Sequence, residues 1–187
     1  SRDPTDYYCT PAWCVRRLLE RVAIPRPTLD PCAGTGALVR AARGHHGRHL
    51  GMVGYELDSE LADVAINDGL PIVCADGLAR SWEGEHVLMN PPYRSAEKWV
   101  RKGITEAASV CALLRLGFLA SKRRQALFDA YPLEALAVLS SRPSFVGGRT
   151  DYSEYAWFYW SHQVPFGTQL VWLSKSVDDS DREADAD

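Results

Sequence analysis

Thr28-Leu29-Asp30-Pro31-Cys32-Ala33-Gly34-Thr35-Gly36-Ala37-Leu38-Val39-Arg40 packs a short apolar step, a glycine loop and the start of a helical repeat into one stretch. A strand that runs into glycines and then into a helix is the unit from which parallel sheets are built. The same alternation continues in both directions. Thr10-Pro11 opens a helix over 11–22, and residues 36–43 form the helix after the glycine loop. Strands are predicted over 51–57, 71–75, 86–90, 109–116, 133–139 and 154–161, with 168–174 as an added edge. Helices are predicted over 59–67, 95–105 and 122–130. Strands alternating with helices of this length give an open, doubly wound α/β sheet, whose ligand crevice lies at the carboxyl ends of the strands. Asp30, Glu56, Asp76 and Asn90 all fall at such ends, so they are expected to converge.

The chain has 187 residues, 46% of them hydrophobic, which suits one core rather than two. Residues 1–175 are read as one domain and 176–187 as an acidic, disordered tail. Net charge is −3, yet residues 178–187 hold six acids against Arg182 alone, and without that excess the remainder is net +2. A mildly basic, Arg-bearing body is compatible with a nucleic-acid substrate. Cys9, Cys14, Cys32, Cys74 and Cys111 form no C-x-x-C pair, so reduced thiols of a cytoplasmic protein are expected and no metal site. No apolar run reaches membrane-spanning length, and Ser1-Arg2-Asp3-Pro4 begins no apolar leader.

The glycine loop reads D-P-x-x-G-x-G and lacks the third glycine of the dinucleotide pattern, with Ala37 standing after Gly36. That speaks against a pyrophosphate and for a nucleoside cofactor without phosphates, S-adenosylmethionine, lying over Asp30, Cys32, Ala33, Gly34 and Gly36. Glu56, at the end of the second sheet strand, can accept both ribose hydroxyls. Asp76, ending the third, can accept from the cofactor's adenine amino group, or else caps the turn at Gly77. Leu57 and Gly77 flank these carboxylates and join the candidate set. Asp58 reads as the N-cap of the next helix.

Downstream, Asn90-Pro91-Pro92-Tyr93 follows the apolar run His86 to Met89. The prolines fix the backbone and remove competing donors. The Asn90 side-chain oxygen and the Pro91 carbonyl can then both accept from one NH2 group, which turns the nitrogen lone pair out of conjugation with its ring. Tyr93 offers a flat face to a planar target. Orientation of this kind is a large part of what a site can contribute to a two-substrate reaction. Cys32 belongs to the cofactor loop, which speaks against a cysteine-nucleophile mechanism. The two halves together point to methyl transfer to an amino nitrogen beside a ring, with Asn90, Pro91, Pro92 and Tyr93 as the catalytic candidates.

From about Thr5 to Ser161 the sequence resembles the S-adenosylmethionine-dependent amino-methyltransferases, in particular the phage- and prokaryote-type DNA N6-adenine methyltransferases. The resemblance rests on Tyr7-Tyr8-Cys9-Thr10-Pro11, Asp30 to Gly36, Glu56, Asp76, Asn90 to Tyr93 and the aromatic run Glu154-Tyr155-Ala156-Trp157-Phe158-Tyr159-Trp160. It implies a Rossmann-like class I methyltransferase fold: an open doubly wound, mostly parallel seven-stranded sheet with an antiparallel C-terminal strand. It implies that Tyr8, Thr10 and Pro11 contact the cofactor's methionine end. It also implies that an aromatic of the 154–160 run faces a flipped base. Trp157 and Phe158 alternate across the strand, so at most one of them is that platform, and Trp157 is carried as the candidate; an all-core strand is the other reading. DNA is the implied partner, with the base flipped or the strand already single. That branch usually carries a sizeable target-recognition domain, for which these residues leave no room, so relaxed or short-site specificity is expected. Arg94, beside Tyr93, and the 141–153 loop with Arg142 and Arg149 are the expected phosphate contacts. RNA adenine and protein glutamine present the same planar NH2 and stay open as substrates. So does a partner-dependent nucleic-acid-binding subunit.

Overall fold

Ser109-Val110-Cys111-Ala112-Leu113-Leu114 is buried at every position, which places it in the middle of a sheet covered on both faces. The computed structural model describes residues 9–26, 28–44, 51–146, 149–150, 153–162, 167–176 and 179. Its strands are β1 (Thr28–Asp30), β2 (Val53–Glu56), β3 (Ile72–Cys74), β4 (His86–Met89), β5 (Ser109–Arg115), β6 (Ala135–Leu139), β7 (Ser144–Val146), β8 (Arg149–Thr150), β9 (Tyr155–Ser161) and β10 (Gln169–Leu173). Its helices are α1 (Ala12–Arg21), α2 (Ala37–Arg43), α3 (Ser59–Asn67), α4 (Ala96–Glu106) and α5 (Lys122–Ala130). The helices and the strands of the main sheet fall on segments that the sequence pattern marks out, whereas β7 and β8 lie in the 141–153 stretch read there as a loop. None of these helices is long and apolar enough to cross a membrane.

Eight strands form one sheet in the order β10-β6-β9-β5-β4-β1-β2-β3, and β7 pairs with β8 as a separate antiparallel hairpin. The count exceeds the expected seven because β10 joins as a full edge strand. The antiparallel strand is β9, inserted between β5 and β6; the last strand, β10, runs parallel to β6. Strand β1 has β4 on one side and β2 on the other, so the chain winds outward from it in both directions. The crevice of a doubly wound sheet opens at that reversal.

Alternation along β9 divides the core. Tyr155, Trp157 and Tyr159 join one cluster with Trp13, Leu18 and Val39 of α1 and α2. Ala156, Phe158 and Trp160 join the other, with Trp99, Val100 and Leu127 of α4 and α5. The Trp157 indole N–H donates to the Cys14 carbonyl at 3.2 Å and so anchors α1 to the sheet.

A second anchor reaches α1 from the other end of the chain. Asp179, 4% exposed, accepts from Arg16 (2.8 Å) and Arg17 (3.0 Å) of α1 and from the Ser176 hydroxyl (2.8 Å). Asp179 falls within the stretch read as the acidic tail; residues 177–178 and 180–187 lie outside the described residues. Burial disfavours the charged carboxyl, but the donors of Ser176, Arg16 and Arg17 outweigh it and hold Asp179 well below the usual carboxylate range. A depressed carboxyl binds protons more readily in the unfolded chain, so its contribution is complete above about pH 4 and fades as pH falls further. Removing one partner from a buried pair costs roughly 3–5 kcal/mol. Arg16 and Arg17 are 15% and 25% exposed, so Asp179→Asn is expected near the low end of that range. Urea unfolding at pH 7 and at pH 3 checks both parts: the variant loses stability at pH 7, and the gap to the parent protein narrows at pH 3.

Candidate active site

The loop after β1 is fixed mainly by its own backbone. Asp30, 1% exposed, accepts from the Cys32 N–H at 3.1 Å and closes an Asx turn. Gly36 sits at φ +83° immediately before α2, and a Cβ there would lie 2.4 Å from Leu70 Cδ1. Only glycine meets both conditions at low cost. Glu56, 2% exposed at the end of β2, receives the Gly34 N–H on one oxygen at 2.6 Å and the Asp58 N–H on the other at 2.9 Å. A carboxylate has about four acceptor positions, so each oxygen can also take a hydroxyl. Leu57 next to it is 61% exposed, an apolar surface beside a buried carboxylate. Asp58 caps α3, accepting from Glu60 N–H at 3.0 Å and Leu61 N–H at 3.3 Å.

Asp76 is exposed beyond β3 and accepts from the Leu78 N–H at 2.9 Å, the turn-capping alternative for this residue. A Cβ on Gly77 would fall 1.9 Å from the Pro31 carbonyl oxygen. The loops after β1 and β3 therefore touch through backbone. Asp30, Glu56, Asp58 and Asp76 end up along one edge of the sheet. A row of carboxylates repels phosphate and suits hydroxyl, amino and cationic groups.

The Asn90-to-Tyr93 segment leaves β4 against this loop. The Cys32 thiol donates to the Asn90 carbonyl at 3.6 Å. The Asn90 amide N–H donates to Thr10 Oγ1 at 2.9 Å, and Thr10 is 3% exposed. That bond fixes the amide's orientation, with its oxygen facing away from Thr10. Pro91 is buried, and Pro92 accepts from the Ser95 N–H at 3.1 Å, forming a 3-10 turn over Tyr93–Ser95. The Tyr93 ring centroid lies 5.5 Å from that of Tyr155 and 6.5 Å from that of Phe145, and the Arg115 guanidinium stands 5.3 Å from the Tyr93 ring. Arg115 also donates to the Tyr155 hydroxyl at 3.4 Å. Burial pushes the nearby strand thiol of Cys111 far up, so it is a core group and not a nucleophile.

The structure thus brings Thr10, the 30–36 loop, Glu56, Gly77 and Asn90 to one edge, with Tyr93 adjoining. Pro11 sits at the N-cap of α1, its carbonyl accepting from Cys14 N–H at 3.0 Å. Tyr8 and the Arg149 side chain lie outside the described residues. Arg142 is exposed and pairs with Glu154 at 3.1 Å. Trp157 is 0% exposed beneath α1 and is a core residue, not a base platform. The aromatic of β9 that reaches Tyr93 is Tyr155. Because β9 runs antiparallel, its first residue, not its middle, lies where the parallel strands end. The sequence pattern carried that signal, but only once the strand direction was used.

No family model matches the chain, and no curated protein matches it in sequence. Solved structures do match. A Listeria monocytogenes protein described as a class I S-adenosylmethionine-dependent methyltransferase aligns over 100% of this chain and 72% of its own, at TM-score 0.67 and 13% identity. The methyltransferase subunit of a type I restriction-modification system from Streptococcus thermophilus aligns over 96% of this chain, at TM-score 0.66 and 15% identity. This chain spans only 53% of that subunit's length. A Pyrococcus horikoshii protein described as an RNA methyltransferase aligns over 88% of this chain and 91% of its own, at TM-score 0.64 and 16% identity. The fold is that of the class I S-adenosylmethionine-dependent methyltransferases. Gly77→Ala forces the loops after β1 and β3 apart; overpacking costs typically 1–3 kcal/mol, and the backbone contact puts this case at the upper end or above. Chemical denaturation measures that loss, and calorimetric titration with S-adenosylmethionine should show weaker binding in the variant.

Proposed function

We propose that the protein transfers a methyl group from S-adenosylmethionine to N6 of adenine in DNA. The observation that carries this reading is the amide of Asn90, held by Thr10 at 2.9 Å while its main-chain carbonyl takes the Cys32 thiol, at the edge where Glu56 and Gly34 meet. A side chain locked in one orientation at a sheet's carboxyl edge is suited to presenting an acceptor to a substrate NH2.

S-adenosylmethionine, the cofactor expected for this fold, supplies an electrophilic methyl group when bound. The residues present fit it. In this reading the Glu56 oxygens take the ribose hydroxyls in addition to their two backbone N–H groups. Leu57 lies against the adenine, with Asp76 and Gly77 at its rim. The 30–36 loop, Thr10, Pro11 and Tyr8 take the methionine end. The carboxylate row favours the positive charges of such a ligand.

On the substrate side, Asn90 Oδ1 and the Pro91 carbonyl accept the two N–H bonds of the target amine and hold its lone pair toward the cofactor. Pro91 and Pro92 keep those two acceptors in register, and Tyr93 carries the base. A restriction-modification subunit among the structural neighbours is consistent with DNA, and an RNA methyltransferase stands among them as well, so the choice of DNA rests on the sequence resemblance and on the test that follows. Incubation of purified protein with labelled cofactor and DNA, then nucleoside analysis, tests the reading. The expected product is N6-methyladenine; label only on RNA or on protein glutamine overturns the substrate assignment. Asn90→Ala is expected to lower kcat by roughly 100–1,000-fold, as removal of a preorganised polar group does elsewhere, with cofactor affinity retained. Thr10→Val leaves the oxygen of Asn90 but frees its rotation, and steady-state rates should fall by about tenfold, one step of about 1.4 kcal/mol in the barrier.

A further inference from the structure

A cavity of about 330 Å³ adjoins the candidate active site on the side away from Glu56. It lies between the Tyr93–Ser95 turn, the end of β5, the Leu116–Phe118 turn and the first half of α5. That volume is at the lower end of small-ligand pockets, roughly 300–1,000 Å³. Its walls are formed chiefly by Tyr93, Arg94, Leu114, Arg115, Phe118 and Arg124; no carboxylate among the described residues lines it, although Glu97 lies 3.8 Å from Arg124.

Two features separate it from an ordinary patch of surface arginines. Each of its two aromatic rings carries a guanidinium: Arg115 stands 5.3 Å from the Tyr93 ring, and Arg124 stands 4.3 Å from the Phe118 ring. Arg124 is also preset, since it donates to the Phe118 carbonyl at 2.8 Å and the Gly117 carbonyl at 3.4 Å. Aromatic faces alternating with guanidinium groups match the repeat of a nucleic-acid strand, a base and then a phosphate. The groove also begins at Tyr93, the residue that belongs to both sites.

We propose that this groove holds the nucleotide adjacent to the target base on a single nucleic-acid strand, with Arg94 and Arg115 on its phosphates and the guanidinium plane of Arg124, backed by the buried Phe118 ring, beneath the neighbouring base. The proposal rests on the function proposed above. Arg115 covers the Tyr93 ring in this structure, so the incoming strand must draw it off. Binding a phosphate is the exchange that compensates for the lost ring contact. The site then discriminates by strandedness: a stacked duplex cannot insert one of its nucleotides between Arg124 and Tyr93 without opening.

Fluorescence anisotropy with a labelled single-stranded DNA oligonucleotide at several salt concentrations tests this. Each phosphate contact on a single strand contributes about 0.7 to the slope of log K against log salt. Arg94→Gln and Arg115→Gln are each expected to lower the slope by about that amount and to raise KM for DNA more than they lower kcat. Arg115→Lys should restore the slope, since it restores the charge. Arg43→Gln, which removes one positive charge from α2 on a distant surface, should leave the slope as it is, and calorimetric binding of S-adenosylmethionine should match the parent protein in every variant. A protein that methylates DNA, yet whose Arg94 and Arg115 variants keep the parental slope and KM, overturns this proposal alone. A parent protein that transfers methyl to no nucleic acid overturns the function it rests on. Equal affinity for duplex and single strand removes the strand selectivity.

Discussion

The buried carboxylate of Glu56 is the interaction on which the candidate site depends. It sits at the end of β2 and holds Gly34 N–H and Asp58 N–H, one on each oxygen. The first bond fixes the loop between β1 and α2, and the second fixes the entry to α3. A carboxyl group this deep is compatible with the core because both of its oxygens are hydrogen-bonded. With the loop fixed, Cys32 can reach the Asn90 carbonyl, and Asn90 can reach Thr10. One carboxylate thus sets a chain of contacts that runs across β1 to β4 and on to α1.

Much of the fold was legible because parallel strands buried on both faces are written as continuous apolar runs. His86 to Met89 and Ser109 to Leu114 could be read this way, and both are strands. Helix α3 was legible to the residue, since Asp58 caps it and Asp68-Gly69 closes it. Pairing partners were harder to read. Nothing local in the 154–161 run states that it lies between β5 and β6, because strand order is decided by crossover paths and not by composition. The same ignorance produced the Trp157 assignment. The family resemblance marked the aromatic run without the strand's direction, and its all-core alternative holds for Trp157, which fastens α1, whereas Tyr155 reaches the site edge.

The candidate site divides along a similar line. Asp30, Gly34, Gly36, Glu56 and Asn90 were legible because strand ends in a doubly wound sheet converge by topology. The partnership of Asn90 with Thr10 was not, since the two lie 80 residues apart. Arg115 and Arg124 were also missed. They occur among many arginines in the sequence, and what distinguishes them is the ring that each one covers. Asp179 is the reverse case: the composition of its surroundings reads as tail, but a specific pair of helix arginines overrides composition at that position.

The position of β9 has a consequence for how the chain is made. Strand β5 ends at Arg115, yet the neighbour that covers its outer edge spans Tyr155–Ser161. In a chain synthesised from the N-terminus, β5 therefore emerges well before its partner and presents an apolar edge in the interval. Unpaired edges of this composition are the usual starting points for association between chains. The sheet cannot close until β9 arrives, since among the described residues β6 pairs only with β9 and β10. It is therefore the nascent chain, more than the finished protein, whose exposed strand edge needs keeping from its own copies.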